Sequence, residues 1–332
     1  MSSDPHALHS VDALAAQIAT GDRRALARAV TLVESTRDDD RLWAEQLLER
    51  IQPQTGRALR VGISGTPGVG KSTFIEALGR RLIDVDNKSI AVLAVDPSSV
   101  VSGGSLLGDK TRMEWLSKSE RAWVRPSPSS GALGGTAPHT RDAILVCEAA
   151  GFDVVLVETV GVGQSEAAVA DLVDTFVLLV APGGGDELQG TKRGILELVD
   201  VIVVNKADGE RAQEAMRTRD DYAQGARLFL RPLAGWSVPV LTASGQEGSG
   251  IDDVWRAVLE HRALLDRTHA RDARRAQQSE RALWRAVDEA LAADLRASPA
   301  VQAALSSTIA SVRTGAVSPA RAARELLRLA RG

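Results

Sequence analysis

The chain has 332 residues and a formal net charge of −3, which allows one large α/β domain with additional elements and gives no signature of nucleic-acid binding. A single cysteine, Cys147, rules out an intramolecular disulfide, and the longest apolar runs are far shorter than the roughly 20 residues that span a bilayer. The first residues lack the basic start and apolar core of a signal peptide. We therefore expect a cytoplasmic protein that binds neither membranes nor nucleic acid.

The first 55 residues show helical periodicity and carry no catalytic motif. Apolar side chains recur at helical spacing in three stretches, and Gly21-Asp22 marks the stop of one helix and the N-cap of the next. We predict an N-terminal helical segment over residues 1–55, a nucleotide-binding domain over 56–265 and a C-terminal helical arm over 266–332.

Short apolar runs alternate with helical patterns between residues 60 and 261. Several runs are apolar without alternation, which is typical of strands buried on both faces of a parallel sheet. The pattern predicts an α/β fold with a doubly wound, mainly parallel sheet that binds its ligand at the carboxyl ends of the strands. The predicted strands are residues 60–64, 90–95, 122–125, 153–158, 176–181, 200–204 and 238–242.

A phosphate-binding loop is the strongest motif in the chain. Residues 65–72 fit G-x-x-x-x-G-K-[ST] in full and lie between a predicted strand and a predicted helix. The glycines let backbone N–H groups face a phosphate, while Lys71 would reach the β- and γ-phosphates and the Ser72 hydroxyl would hold Mg²⁺. The predicted phosphate-binding residues are Gly65, Thr66, Pro67, Gly68, Val69, Gly70, Lys71, Ser72 and Thr73.

A second motif, N-K-A-D at residues 205–208, directly follows a predicted strand. At a strand end this motif is typical of guanine recognition, because the aspartate carboxylate accepts hydrogen bonds from N1–H and the exocyclic amine, a donor pair that adenine lacks. The end of the next strand, at residues 242–245, is placed to brace the base with backbone N–H groups. The predicted base-binding residues are Asn205, Lys206, Asp208, Ala243, Ser244 and Gly245.

The predicted metal and switch residues also follow strands. Glu158 ends a buried strand and opens a glycine-rich turn to Gln164, so it would orient Mg²⁺ while Gln164 is a candidate for positioning the attacking water. Asp96 opens a long polar loop to Asp109, which suits a first switch near the metal. For each of these two aspartates, capping of the loop is the alternative.

A third glycine-rich loop lies at residues 182–192 and ends at Lys192. An ordinary connection needs fewer glycines and charges, which favours a functional loop. Because it follows the strand at 176–181, we expect it to lie beside the strand that ends at Glu158 and to influence the switch there.

The pattern after Gly250 is purely helical. Leu283, Val287, Leu291 and Leu295 form an i+4 apolar stripe, and the mixed charges of residues 266–332 are typical of solvated helical faces rather than of nucleic-acid binding. A stripe of this length needs a surface to pack on, and a second copy of the chain is a reasonable candidate.

Three segments together resemble one family, the methylmalonyl-CoA mutase-associated GTPases of the MeaB/ArgK type, within the SIMIBI class of P-loop GTPases. The segments read E-T-V-G-V-G-Q-S-E from Glu158, A-P-G-G-G-D-E-L-Q-G-x-K up to Lys192, and D-P-S-S-x-x-S-G-G-S-L-L-G-D-K-T-R-M from Asp96. The resemblance covers about residues 57–249 and is looser in both helical flanks. One departure is Pro138-His139, where the family pattern tends to have an arginine after L-G-G-x-A.

The resemblance implies a homodimeric, Mg²⁺-dependent GTPase that serves as chaperone to an adenosylcobalamin-dependent mutase, gating cofactor loading and protecting the enzyme. It also implies that Asp96, Asp109 and Glu158 belong to the metal and switch shell. Residues 183–192, with Lys192, would form a third switch that senses the mutase and acts on catalysis.

Two other functions fit a P-loop protein of this kind. A metal-insertion GTPase of the same class would need a cluster of Cys or His ligands, which one cysteine and five scattered histidines do not supply. An ATP-dependent kinase or transport ATPase is disfavoured by N-K-A-D, which is a guanine motif.

Overall fold

Seven parallel strands form a single sheet in the computed structural model, which describes residues 5–35, 37–95, 113–126, 136–159, 165–183, 197–229 and 233–331. The strand order is β3-β2-β4-β1-β5-β6-β7. Every predicted strand is confirmed, with ends that move by at most two residues. The strands are β1 Leu59–Gly65, β2 Ile90–Val95, β3 Ala122–Pro126, β4 Val154–Thr159, β5 Thr175–Val180, β6 Val201–Val204 and β7 Val240–Thr242.

The chain divides into two compact units, residues 1–274 and residues 275–332. Short 3₁₀ turns lie at Gln52–Gln54 and Gly209–Arg211. The α-helices within the first unit are α1 Pro5–Ala19, α2 Arg23–Val33, α3 Asp38–Ile51, α4 Lys71–Asp84, α5 Glu114–Lys118, α6 Thr136–Ala149, α7 Ser165–Ala170, α8 Ala212–Phe229 and α9 Ile251–Arg267. The division of the chain at residues 55 and 265 stays a prediction.

Both faces of the sheet are covered by helices, which explains the continuous apolar runs. Along β4, Val155 and Val157 face a cluster that includes the apolar sides of α1, α2, α3 and α6. Val154 and Leu156 face a second cluster built with α4 and α9. Alternate residues of one strand thus fill two different cores, and each must be apolar.

Helix α2 covers the edge strand β3. The Arg23 guanidinium donates to the carbonyl oxygens of Glu120 at 3.0 Å and Ala122 at 2.7 Å. At the other end of β3, Arg125 donates to the Glu34 carboxylate at 2.6 Å. Unpaired backbone groups at a sheet edge otherwise invite pairing with other chains, so the N-terminal helices complete the domain rather than merely preceding it.

Three aspartates join neighbouring strands at their amino ends through the same kind of hydrogen bond. Asp153, Asp174 and Asp200 each directly precede a strand, and each carboxylate accepts the backbone N–H of a residue at the start of the neighbouring strand. The three donors are Ser89 at 2.8 Å, Arg60 at 3.0 Å and Phe176 at 2.9 Å. Sequence reasoning missed these aspartates, although all three lie in the pattern of an aspartate followed by a β-branched residue and an apolar run.

Replacing Asp142 with asparagine is expected to stabilise the protein at neutral pH. Burial raises the pKa of Asp142 from its ordinary value of 3.8 to about 6, against the smaller opposing effects of Arg141 and His139. Because the folded protein holds this proton more tightly than the unfolded chain, wild-type stability falls as pH rises from 4 to 6. We expect Asp142→Asn to raise the free energy of unfolding at pH 8 by about 2–3 kcal/mol, a gain that vanishes near pH 4.

Urea unfolding at several pH values measures this free energy. Asp153→Asn is the control, because it is expected to change stability in the opposite direction. Burial would raise the pKa of Asp153, but hydrogen bonds from Ser89 and the charge of Lys88 outweigh it and lower the pKa. Asp153 therefore contributes stability above its unfolded pKa that is lost as pH falls, and its substitution should destabilise at pH 7. A pH-independent effect of Asp142→Asn would contradict the account.

The second unit consists of the remainder of α10 (Ala270–Ala297), which begins in the first unit, together with α11 (Pro299–Arg313) and α12 (Pro319–Ala330). Helices α11 and α12 both begin after a serine N-cap, Ser298 and Ser318, with proline at the first helical position. In the described segments, no helix is both long and apolar enough to cross a membrane.

Candidate nucleotide-binding site

The strand order brings the predicted motifs to one edge of the sheet. Since all strands are parallel, their carboxyl ends lie at the same edge. Reading across from β4 to β7, this edge carries Glu158, the loop at 65–70, residues 181–183, residues 205–208 and residues 243–245. Segments separated by more than 170 residues in sequence therefore become neighbours.

The loop between β1 and α4 has the backbone geometry that a phosphate cradle requires. Gly68 and Gly70 have φ values of 80° and 93°, in the left-handed region that favours glycine. A Cβ atom on Gly65 would lie 2.4 Å from the Leu179 carbonyl oxygen, and one on Gly70 would lie 2.8 Å from Asn205 Nδ2. Glycine is therefore required at these positions by the φ angle of the backbone and by its close approach to Leu179 and Asn205. Helix α4 begins at Lys71, so its N-terminus faces the loop.

Two lysine ammonium groups hold the loop in shape. Lys71 is buried, and its Nζ donates to the carbonyl oxygens of Gly65 at 2.7 Å and Thr66 at 3.2 Å. Lys206 has a left-handed backbone with φ of 60°, and its Nζ donates to the Gly68 carbonyl oxygen at 2.6 Å. The carbonyl oxygens of Gly65, Thr66 and Gly68 are thus fixed by two positive charges.

The hydroxyl of Ser72 lies against the carboxylate at the end of β4. Ser72 Oγ donates to Glu158 Oε1 at 3.0 Å, and Glu158 is 6% exposed. Next to this pair, Thr159 Oγ1 donates to Ser64 Oγ at 2.9 Å. A hydroxyl and a carboxylate are oxygen ligands of the kind that Mg²⁺ prefers, so these two residues fit a magnesium shell.

Asn205 is a brace between the two halves of the site. Its side chain is 1% exposed, and Nδ2 donates to the Val69 carbonyl oxygen at 2.9 Å. Its Oδ1 accepts the Gly245 N–H at 3.1 Å. Asn205 therefore ties the phosphate loop to the loop after β7, and its side chain holds protein segments rather than pointing at a base.

Asp208 and Ser244 form the polar end of the predicted base site. The Ser244 hydroxyl donates to Asp208 Oδ2, while Ser244 Oγ accepts the Glu247 N–H at 3.0 Å. A Cβ atom on Gly245 would lie 2.8 Å from the Phe74 backbone nitrogen, so this glycine lets the loop rest on the start of α4. The buried Ala243 bonds through its N–H to the Val204 carbonyl oxygen at 2.9 Å.

A cleft of about 540 Å³ opens between α4 and the loop after β7. Thr73 and Gly245, both predicted nucleotide residues, line its inner end. The remainder of the lining combines charged residues such as Glu76, Arg80 and Glu247 with the apolar Ala77, Val85 and Ile251.

Comparison with known proteins agrees with this geometry. Residues 26–300 match the family described as "Methylmalonyl Co-A mutase-associated GTPase MeaB". A putative GTPase of Caulobacter vibrioides is 52% identical over 96% of this chain and 97% of its own length. The GTPase ArgK of Escherichia coli is 44% identical over 92% of each chain.

The chain belongs to the MeaB family. It is a GTP hydrolase, and its family links it to methylmalonyl-CoA mutase. The mouse protein named "Methylmalonic aciduria type A homolog, mitochondrial" is 44% identical over 96% of this chain and 79% of its own length. A solved structure described as an LAO/AO transport system kinase is 35% identical, with a TM-score of 0.75 and full coverage of both chains. The resemblance inferred from the three motif segments is confirmed.

Four of the residues predicted for the MeaB-type site lie outside the described residues: Asp96, Asp109, Gln164 and Lys192. Their roles stay predictions. The expectation that the strand before the third loop neighbours the strand ending at Glu158 is wrong, because β1 lies between β4 and β5. Among the described residues, the phosphate loop that follows β1 lies between Glu158 and Gly183.

Helix α8 holds the described start of the third loop. Gly183 has φ of 82°, and its N–H donates to Thr218 Oγ1 at 3.0 Å. A Cβ atom on Gly183 would lie 2.6 Å from Glu214 Oε1. Since α8 begins shortly after residues 205–208, the helix that follows the guanine motif also contacts the start of the loop, a link that the sequence analysis did not find.

His139, the residue noted as a departure from the MeaB pattern, has a structural contact. Its Nδ1 lies 2.9 Å from the Val33 carbonyl oxygen, so the Nδ1 nitrogen carries a proton and donates. This bond joins α6 to the end of α2, next to the ion pair of Glu34 with Arg125.

Proposed function

We propose that the protein is a Mg²⁺-dependent GTPase that acts as a chaperone of an adenosylcobalamin-dependent mutase, with methylmalonyl-CoA mutase as the client. In this proposal it gates loading of the cofactor and protects the mutase. The observation that carries it is the convergence of Lys71, the Ser72–Glu158 pair and the Asp208–Ser244 pair at one sheet edge, in a chain of a mutase-associated family.

The phosphate half of the site serves charge stabilisation. The two carbonyl contacts of Lys71 fix its ammonium at the phosphate loop, where its positive charge would serve the β- and γ-phosphates. A positioned cation stabilises charge that develops on the phosphoryl group in the transition state. The phosphate loop binds the remaining oxygens through backbone N–H groups.

Ser72 and Glu158 would hold Mg²⁺ in this proposal. When bound, the ion neutralises charge on the β- and γ-phosphates. Ser72 contributes its hydroxyl oxygen and Glu158 its carboxylate, which is kept in place by the bond between the two side chains. Asp96 and Asp109 are proposed as further members of this shell.

The base half of the site explains a preference for guanine. Asp208 accepts from Ser244, and its carboxylate can accept from N1–H and the N2 amine of guanine when that hydroxyl turns away. Adenine would leave the carboxylate unpaired, which costs binding energy. The aliphatic part of Lys206, held over the loop by its bond to Gly68, provides an apolar surface for the base.

Replacing Lys192 with alanine is expected to reduce stimulation of GTP hydrolysis by the mutase and to leave basal hydrolysis and GTP affinity nearly unchanged. The loop at 183–192 carries Asp186, Glu187 and Lys192 as charged groups that a partner can bind. Gly183, at the start of this loop, donates a hydrogen bond to Thr218 of α8, the helix that follows the guanine motif.

Single-turnover hydrolysis with and without a purified adenosylcobalamin-dependent mutase measures this effect. If Lys192 merely begins the following helix, Lys192→Ala is neutral in both conditions. Full stimulation of this variant would remove the proposed coupling role of the loop, whereas lack of stimulation of the wild-type protein would count against the mutase as its partner.

The alternative of a metal-insertion GTPase gains no support. Across the described parts of the chain, no group of three or more His, Cys, Asp or Glu side chains is arranged to hold a metal ion. The single cysteine is buried, and burial raises the pKa of the Cys147 thiol, which makes it a poor metal ligand.

Homodimerisation through the second unit is proposed from its exposed apolar stripe. On α10, the side chains of Leu283, Trp284 and Leu291 are 60%, 62% and 62% exposed. We expect the double variant Leu283→Glu/Leu291→Glu to be a folded monomer that retains nucleotide binding, because two buried carboxylates would disrupt an apolar interface. Light scattering gives the mass.

The matched control is Glu289→Ala, which removes a charge from an exposed position of α10 between the two leucines and should leave the mass unchanged. If the wild-type protein and the double variant have the same mass in solution, this stripe is not the dimer interface.

A further inference from the structure

A second polar cluster lies at the amino edge of the sheet, at the opposite end of β5 and β6 from the nucleotide site. It is centred on Asp200 and His261, which are 7% and 0% exposed. His261 Nε2 lies 3.2 Å from Asp200 Oδ1, and His261 Nδ1 lies 2.9 Å from Thr175 Oγ1. A hydroxyl, an imidazole and a carboxylate in this order resemble a hydrolytic triad, but their burial excludes any substrate.

Other groups fix Asp200 from every side. The Arg274 guanidinium donates to both carboxylate oxygens, at 3.0 and 3.2 Å. Trp236 donates through Nε1 to the Asp200 carbonyl oxygen at 2.9 Å and packs its ring on His261 with centroids 4.9 Å apart. Burial alone would raise the pKa of Asp200, but His261 and Arg274 outweigh it and lower the pKa, so the carboxylate is held charged.

The cluster joins the far ends of the two segments that carry the base site. Strand β6 runs from Asp200 to residues 205–208, a distance of about 13 Å. Helix α9 runs from the loop at 243–249 to His261, a distance of about 15 Å. Its apolar side packs in the same core as Val201 and Val203 of β6. At the nucleotide site, the segment after β6 and the segment before α9 meet through the hydrogen bond between Ser244 and Asp208. At the opposite end of β6, Asp200 meets His261 of α9.

We propose that Asp200 and His261 are positioning residues for guanine recognition, which set the register of β6 against α9 and thereby the placement of Asp208 against Ser244. Strand β6 has only four residues, so a short, stiff element connects Asp200 at its amino end to the guanine motif at its carboxyl end. The inference rests on the proposed role of Asp208 in binding the base. It assigns no contact with the nucleotide to Asp200 or His261.

The test compares affinities for GDP and IDP, since inosine lacks only the N2 amine that Asp208 is proposed to bind. The wild-type protein should bind GDP at least tenfold tighter than IDP. We expect Asp200→Asn and His261→Ala to reduce this ratio at least threefold, while affinity for inorganic pyrophosphate changes little. His261→Gln, which retains a hydrogen-bonding side chain, should recover part of the ratio.

A ratio of two affinities measured on one preparation does not depend on the fraction of folded protein, so simple destabilisation does not change it. Asp153→Asn is the matched control, because Asp153 has the same strand-joining role for β2 and β4, which lie on the other side of β1 from β5 and β6. It should leave the ratio unchanged. If His261→Ala does not fold, Asp200→Asn alone decides.

An unchanged ratio in the folded Asp200→Asn variant would overturn the inference. A wild-type ratio near one would instead overturn the guanine role of Asp208, so the two failures are distinguishable. A ratio that falls equally in Asp200→Asn and Asp153→Asn would show a general effect of the sheet edge and would also overturn the specific role of Asp200 and His261.

Discussion

Replacing Lys71 with alanine is expected to lower single-turnover GTP hydrolysis at least about a hundredfold, the scale seen when one transition-state donor is removed. The loss has two physical parts. The variant removes a cation aimed at the developing phosphoryl charge, and it leaves the carbonyl oxygens of Gly65 and Thr66 without the ammonium that holds them. The wild-type rate without a partner should itself be below about 1 s⁻¹, as for unassisted GTPases.

Lys88→Ala is the matched control for this experiment. Lys88 is an exposed lysine on the same unit that pairs with Asp153 at 3.5 Å, and exposed pairs contribute little to stability. It should hydrolyse GTP at the wild-type rate. Wild-type turnover by Lys71→Ala would contradict the assignment of the phosphate loop.

Replacing Asp208 with asparagine is expected to weaken GTP and GDP binding at least about a hundredfold and to shift preference towards xanthine nucleotides. Sites built around a buried hydrogen-bonding group reject ligands that leave the group unpaired by large factors. An asparagine amide presents a donor towards the N2 amine of guanine, whereas it can donate to the oxygen that xanthine has at that position. The wild-type protein should bind GDP at least tenfold, or about 1.4 kcal/mol, tighter than ADP.

Calorimetry measures the affinities of the wild-type protein and of Asp208→Asn for GDP, XDP and ADP. Asp221→Asn, on the exposed side of α8, is the control for a neutralised aspartate and should bind like the wild type. Equal loss of GDP and XDP affinity in Asp208→Asn would mean that the residue supports the fold of the loop rather than reading the base.

The strands and the phosphate loop could be predicted from the sequence because their physical constraints are local. Strands buried on both faces must be apolar throughout, and Gly68 and Gly70 are required by their own φ angles. The N-K-A-D motif could also be predicted from the sequence, but the separate structural roles of Asn205 and Asp208 could not. The contact of Asn205 with the phosphate loop depends on strands β1 and β6 being separated by β5 alone, and strand order is not encoded in a four-residue motif.

The amino-edge aspartates show the other limit of sequence reasoning. Asp153, Asp174 and Asp200 look like ordinary polar residues at the start of strands, and their structural role comes from a hydrogen bond to a backbone N–H near the start of a neighbouring strand. The same limit explains the error about the third loop. Consecutive strands in sequence are often neighbours, yet β1 inserts between β4 and β5 and puts the phosphate loop between Glu158 and Gly183.

Loading of adenosylcobalamin onto a purified methylmalonyl-CoA mutase, followed by its absorption spectrum, tests the central claim most directly. The protein is added with GTP, with a non-hydrolysable GTP analogue or with no nucleotide. We predict that the amount of cofactor bound by the mutase differs severalfold between GTP and the analogue, and that Lys71→Ala with GTP behaves like the wild type with the analogue. Identical loading under all of these conditions would contradict a role of GTP hydrolysis in gating the cofactor.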